Sequence, residues 1–482
     1  MPKTTDNKDT TKTADQLLEK ATLAAAEFTQ FTQEQTDRVV QAVFKAAFDS
    51  RIRLAKMAHE ETGMGLWQHK AIKNTVASLL VYESIKNEKT VGVLSNDPDG
   101  GITELAQPLG PVLGIIPVTN PTATVIFKTL ICLKSRNPII ISPSHKASAC
   151  GLEAARVCYA AALKAGAPQG CVQCVQENSR ELLQALMSHK KTALILATGG
   201  TSLVHAAYSS GTPAIGVGPG NVPVLVDASA DIPLAVDSIL QSKTFDNGVI
   251  CASEQAVVVE KPVAAALRSE FKKQGAYFLS EEETRKVQDI AVDAETGMMS
   301  GLVVGQSVAE IARIAGISVP QGTKLLLAPL KGVGRDYPLS GEVLAPILAY
   351  YEAPDWRAAV NTCLSLNYMG GTGHTAVIYA NDDKRVRQFA ELMNAGRVLV
   401  NTPSAQGAGG GVFNRLHASL TLGCGAGGKN STTENVTAKT LINIKRICRR
   451  RPDARWFAFD TERFLDEKLD SNAVEREYGR NY

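Results

Sequence analysis

PVLGIIPV, residues 111–118, is a short apolar run that stops at Thr119-Asn120-Pro121 and gives way to a stretch of helical length, 122–135. The same alternation repeats outward. PIIIS (138–142) precedes 147–165, CVQCV (171–175) precedes a helix near 179–188, ALILAT (193–198) precedes a helix near 201–209, and PAIGVG (213–218) follows. Apolar runs without polar alternation, spaced by helix-length segments, are the pattern of a parallel sheet buried on both faces by crossover helices. This predicts an α/β fold whose first half is a doubly wound nucleotide-binding domain. A run VPVLVD (222–227) and a helix opening at Asp231 lead to FDNGVICASEQ (245–255). A second α/β region then has strands expected at VVVE (257–260), KLLLAP (324–329), TAVIYA (375–380) and RVLVN (397–401). Ahead of the first run, Val39, Val40, Val43, Phe44, Ala47 and Phe48 mark an amphipathic helix, with Thr32 and Gln35 spaced as a capping box.

The 482 residues are 44% hydrophobic and 21% charged, enough for two or three domains with sizeable cores. Fifty-one basic against 48 acidic residues leave a net charge of +3 spread along the chain, so nothing points to nucleic acid as a partner. The polar start MPKTTDNKDTTKT is not a secretory signal, and no run reaches the roughly 18 apolar residues of a membrane span, so a cytoplasmic protein without membrane association is expected. The nine scattered cysteines read as reduced thiols. Cys171-x-x-Cys174 lacks a second Cys or His pair and reads as packing, so no metal is expected. The basic run KRICRRRPDARW (445–456) reads as a solvated helix end.

Five places carry residues suited to chemistry, each with a plainer alternative. Cys251 sits in a glycine-containing loop between an expected helix and strand, a good place for a nucleophile, although a free cysteine is most often a small buried hydrophobe. Asn120, where a strand gives way to a helix, can aim a side-chain donor at the carboxyl edge of the sheet or serve as a helix N-cap. Gly199, Gly200 and Thr201 open a helix after a strand and suit a pyrophosphate, or make a simple turn. Glu342 is a carboxylate that can accept from two adjacent hydroxyls, or a surface glutamate. His374 begins a strand after a glycine turn, where a histidine is usually structural.

The segments PLGPVLGIIPVTNPTATVIFKTL, ATGGT, GVGPGNVPV, FDNGVICASEQ, NTPSAQG and SLTLGCG together resemble the CoA-acylating aldehyde dehydrogenases, especially the aldehyde dehydrogenase half of the bifunctional aldehyde/alcohol dehydrogenases of fermentation. The likeness runs from about residue 15 to 457. It implies an aldehyde dehydrogenase-like fold, a nucleotide-binding domain plus a second α/β catalytic domain. The expected division is a disordered tail at 1–13, the dinucleotide-binding domain with its N-terminal helices at 14–243, the catalytic domain at 244–415, and a C-terminal segment at 416–482 that returns to the first domain and ends in a tail.

The resemblance also implies roles. Cys251 forms a thiohemiacetal and then a thioester, and Asn120 and the peptide N–H of Cys251 meet the oxyanion. Gly199, Gly200 and Thr201 hold the cofactor pyrophosphate, and Glu342 holds the nicotinamide ribose. His374 lies near the catalytic loop and assists deprotonation of the CoA thiol. Ser142 stands where many hydrolytic members have a lysine on the adenosine ribose, which leaves NAD or NADP open with a lean to NAD. Between Thr212 and Val226 there is no carboxylate, whereas water-using members place their general base there. Without it water attacks a thioester slowly while a thiol exchanges readily, which favours CoA as acceptor. The small-molecule aldehyde is expected to be acetaldehyde, with sulfoacetaldehyde, succinate semialdehyde or propanal as alternatives. Arg415 and His417 are placed to favour an anionic one if they line the entrance. A homo-oligomer is expected. A hydrolytic aldehyde dehydrogenase and a non-enzymatic scaffold are the competing classes.

Overall fold

In the computed structural model, residues 5–177, 179–450 and 461–481 are described. Strands β1 (Gly92–Asp97) and β2 (Ile102–Pro108) form an antiparallel hairpin. The chain then enters a five-stranded parallel sheet made of β3 (Val112–Ile115), β4 (Ile139–Ser142), β5 (Val172–Cys174), β6 (Leu194–Thr198) and β7 (Ala214–Val217), in the order β5-β4-β3-β6-β7. Every residue of β3 and β4 is buried because helices cover both faces. The helix Pro121–Lys134 is buried along its whole length. The chain winds outward from β3 to β5 and then returns to β6 on the other side of β3. The carboxyl ends of β3 and β6 therefore flank the crevice where doubly wound sheets bind ligands.

The second sheet is also parallel. It holds β8 (Val222–Val226), β9 (Glu254–Glu260), β10 (Ala276–Phe278), β11 (Leu325–Pro329), β12 (Ile347–Ala353), β13 (Gly373–Tyr379) and β14 (Ala395–Val400), in the order β10-β11-β12-β9-β8-β13-β14. Finally β15 (Ile442–Cys448) pairs antiparallel with β2. Just before it, Val436, Ala438 and Leu441 pack into the core of the first sheet, so the last segment does return to the first lobe.

Three expectations are corrected. The run 222–227 is a strand, but β8 pairs with β9 and β13 in the second sheet, so the lobe boundary falls in the Gly218–Asn221 turn rather than at 243. The polar start is not a disordered tail through residue 13, because a helix runs Thr5–Phe28. Its apolar positions Ala14, Leu18 and Ala21 anchor it in a core, and the polar turns ahead of them continue the same helix. The basic run is no helix end, since 442–448 is strand β15; its residues 451–456 lie outside the described residues. The capping box is present as read: Thr32 caps Gln33–Asp49, with Gln35 returning a bond to the Thr32 N–H at 2.8 Å.

Candidate active site

The helix Ile232–Thr244 starts at its Asp231 cap and ends against a turn, Phe245–Gly248, that aims the next residues at the first lobe. Asp246, Asn247 and Gly248 all take left-handed backbone, with φ of 52°, 54° and 78°. Asparagine and aspartate tolerate that region better than other residues with side chains, and an alanine at 248 would put its Cβ 2.7 Å from the Ala345 carbonyl oxygen. Bonds hold the turn. The Asp246 carboxylate accepts from the Leu66 N–H (2.7 Å), Lys70 (3.1 Å) and Lys73 (2.5 Å), its own N–H donates to His69 Nδ1 (2.8 Å), and Asn247 Nδ2 donates to the Gly305 carbonyl (2.9 Å). The His69 ring stacks on Phe245.

Cys251 follows this turn and precedes β9, partly exposed. Burial pushes its thiol up to about 12; Glu342 and Cys424 add to the rise, while Arg397 and a backbone hydrogen bond oppose it. At neutral pH it is therefore a thiol, nucleophilic once a base or an arriving positive charge removes or disfavours its proton. Its peptide N–H meets no backbone carbonyl among the described residues and lies against its own sulfur, where it helps to lower the thiol.

Asn120 occupies the N-cap position of Pro121–Lys134, yet its side chain makes no capping bond. Instead Oδ1 accepts from Lys73 Nζ at 2.6 Å, and Nδ2 donates to Thr119 Oγ1 at 3.2 Å. Lys73 also donates to the Val249 carbonyl at 2.7 Å, two residues ahead of Cys251, so one ammonium joins the end of β3 to the nucleophile loop of the other lobe.

Gly220 connects the remaining members. Its N–H donates to Glu342 Oε1 at 2.9 Å, and an added Cβ would collide with the Cys251 carbonyl oxygen and lie 3.3 Å from His374 Cγ. Burial raises the Glu342 carboxyl to about 7, with the Gly220 N–H and Lys243 opposing. His374 is fully buried; burial, and then Arg397, lower it to about 3, so the ring is neutral. Its Nδ1 meets Thr375 Oγ1 at 2.9 Å, and its Nε2 has no protein partner among the described residues. Such a ring can accept a proton only transiently.

The nucleotide elements sit at the crevice. The helix Thr201–Tyr208 opens at Gly200 without a side-chain cap, and Gly200 and Thr201 are exposed. Among the described residues no backbone carbonyl takes the Thr201 or Ser202 N–H, while Leu203 N–H donates to the Gly200 carbonyl at 3.0 Å, and open space lies around Gly200. These features fit a pyrophosphate. Ser142 ends β4 but is only 1% exposed. At Gly216, in the carboxylate-free segment, an added Cβ would lie 2.7 Å from Val204 Cγ1 and 3.1 Å from the Tyr208 ring, so no larger side chain fits. His417 meets Ser84 Oγ at 3.1 Å beside Glu88, and no bond joins it or Arg415 to the residues around Cys251 among the described residues. No group of three or more His, Cys, Asp or Glu is placed to hold a metal, and no helix is long and apolar enough to cross a membrane, among the described residues.

Geometry thus gathers Cys251, Asn120, Glu342 and His374 at the junction of the lobes. It adds Lys70, Lys73, Asp246 and Arg397, which sequence reasoning did not single out. The only signal for the lysines was their spacing in HKAIKN (69–74), where charged residues ordinarily face solvent.

A doubly wound sheet with an open helix start thus faces a lobe that presents a cysteine loop. The chain belongs to the aldehyde dehydrogenase family, whose model matches residues 4–440. It is similar to the bifunctional aldehyde-alcohol dehydrogenase AdhE of Escherichia coli K12, 48% identical over 91% of this chain and 50% of that one; the chain thus spans about half the length of this relative. It is also similar to the acetylating succinate-semialdehyde dehydrogenase of Clostridium kluyveri, 37% identical over 90% of this chain and 94% of that one. The crystal structure of an acetylating aldehyde dehydrogenase from Geobacillus thermoglucosidasius superposes with a TM-score of 0.90 at 45% identity, covering 92% of this chain and 99% of the other.

Proposed function

We propose that the protein oxidises a short-chain aldehyde, acetaldehyde first, with NAD or NADP and coenzyme A to the acyl-CoA and reduced cofactor, reversibly. The observation that carries this is a cysteine nucleophile whose chain lacks a carboxylate in the segment where water-using members of the family place their general base. The 213–226 segment has none, Gly216 has no room for one, and Glu342 is engaged by the Gly220 N–H and suited to ribose hydroxyls.

The Cys251 thiol gives up its proton to solvent, its sulfur attacks the aldehyde carbon, and the carbonyl oxygen gains the negative charge. Asn120 Nδ2 and the Cys251 N–H are the donors for that oxygen. The nicotinamide cofactor, when bound, accepts the hydride that leaves the same carbon. The carbon becomes a thioester on Cys251, and the oxyanion returns to a carbonyl. The CoA thiol then gives up its proton, with His374 Nε2 as the nearby acceptor in passing, and its sulfur attacks the thioester. The same two donors meet the second oxyanion, the bond to Cys251 breaks, and the cysteine takes up a proton again. Gly199, Gly200 and Thr201 are assigned to the cofactor pyrophosphate and Glu342 to the nicotinamide ribose. Ser142, buried at the end of β4, is assigned to the adenosine side of the cofactor, where a serine in place of a lysine removes a charged donor. Cytoplasmic work belongs to the same reading, supported by the nine cysteines all being free thiols, and a homo-oligomer is expected with it from the family resemblance alone.

Product analysis after incubation with acetaldehyde, NAD+ and CoA tests this. Acetyl-CoA as the product, with Cys251→Ala slower by roughly 10⁴-fold or more, is expected. Acetate as the main product, or full activity in Cys251→Ala, contradicts it.

A further inference from the structure

We infer that Lys73 is a positioning residue for the reaction: its ammonium fixes the Asn120 amide so that Nδ2, rather than Oδ1, faces the oxyanion at Cys251. This rests on the donor role proposed for Asn120. An ammonium has three donors and no acceptor, so the amide oxygen is the end that meets it. The 2.6 Å contact therefore sets the flip of the amide by chemistry. That leaves Nδ2 one hydrogen for Thr119 Oγ1 and one for the substrate oxygen.

A competing state exists at this position. Asn120 stands at the N-cap of a helix whose first N–H groups seek an acceptor, and an unrestrained asparagine there turns Oδ1 toward them. Lys73 outcompetes that cap. It is buried (7% exposed), and its other two bonds, to Asp246 and the Val249 carbonyl, hold it on the nucleophile loop. Asp246 keeps the ammonium charged in a site where burial lowers it to about 8, and Lys70 shares the same carboxylate oxygen. The three bonds of Lys73 thus set the distance between the two donors, Asn120 Nδ2 and the Cys251 N–H, across the lobe junction.

The test is a double-mutant cycle read by the pre-steady-state burst of reduced cofactor. Wild type, Asn120→Ala, Lys73→Met and the double variant are mixed with acetaldehyde and NAD+, and KM for NAD+ and CoA is measured alongside. Lys73→Met is expected to slow the burst roughly 10- to 100-fold with both KM values unchanged, and to add nothing in the Asn120→Ala background. A wild-type burst in Lys73→Met, or losses that multiply in the double variant, overturns the inference while leaving the Asn120 role intact. A wild-type burst in Asn120→Ala removes the donor role itself and the inference with it. If Lys73→Met does not fold, Lys73→Gln, which keeps a neutral donor beside Asp246, carries the same cycle.

Discussion

At the scale of the residue, Cys251 shows how a single thiol is held in reserve. A partly exposed thiol whose desolvation pushes it up to about 12 is neutral throughout the physiological range, and its nucleophilic fraction grows with pH rather than saturating near neutrality. In the cofactor-free protein, inactivation by iodoacetamide at Cys251 is expected to rise about tenfold per pH unit from pH 6 to 9, since the thiolate fraction does. A rate that levels off at or below pH 8 contradicts that environment. Cys251 and Asn120 were visible in the sequence because FDNGVICASEQ and the end of IIPVTN carry the family resemblance, where the residues alone suited a buried thiol and a helix cap equally well. Lys73 was not, because a lysine on a helix is normally solvated, and only the fold reveals that its partner Asp246 lies 173 positions away.

At the scale of the element, turns rather than helices place the chemistry. Three consecutive left-handed residues aim the nucleophile loop, and Gly220 admits the Cys251 carbonyl against its own backbone. Gly220→Ala is therefore expected to lower kcat by roughly 100-fold, because displacing a nucleophile by about 1 Å costs that much, with its melting transition still cooperative. Circular dichroism with steady-state kinetics checks it; wild-type kcat in Gly220→Ala contradicts the packing. Ten strands of the two parallel sheets were legible as apolar runs, and Asp231 and Thr32 as caps, since both signals are local, whereas β1, β2, β10, β12 and β15 were not read. Which sheet β8 joins was not. PAIGVG and VPVLVD are equally apolar, and the pairing of β8 with β9 and β13 is a long-range fact that periodicity does not carry.

At the scale of the whole molecule, two parallel sheets meet so that Asn120, after β3, is joined through Lys73 to the loop leading into β9, which packs in turn on the loops leading into β8 and β13. The site draws residues from 70 to 397, and neither lobe contains it alone. In the proposed reading a nucleotide held at the helix start Thr201–Tyr208 works with Cys251 of the other lobe, and acyl transfer, not hydrolysis, releases the thioester. Stopped-flow mixing of the enzyme with acetaldehyde and NAD+ examines this directly. One equivalent of reduced cofactor per Cys251 is expected in a burst, followed by turnover only when CoA is added. Steady turnover in the absence of CoA would contradict it.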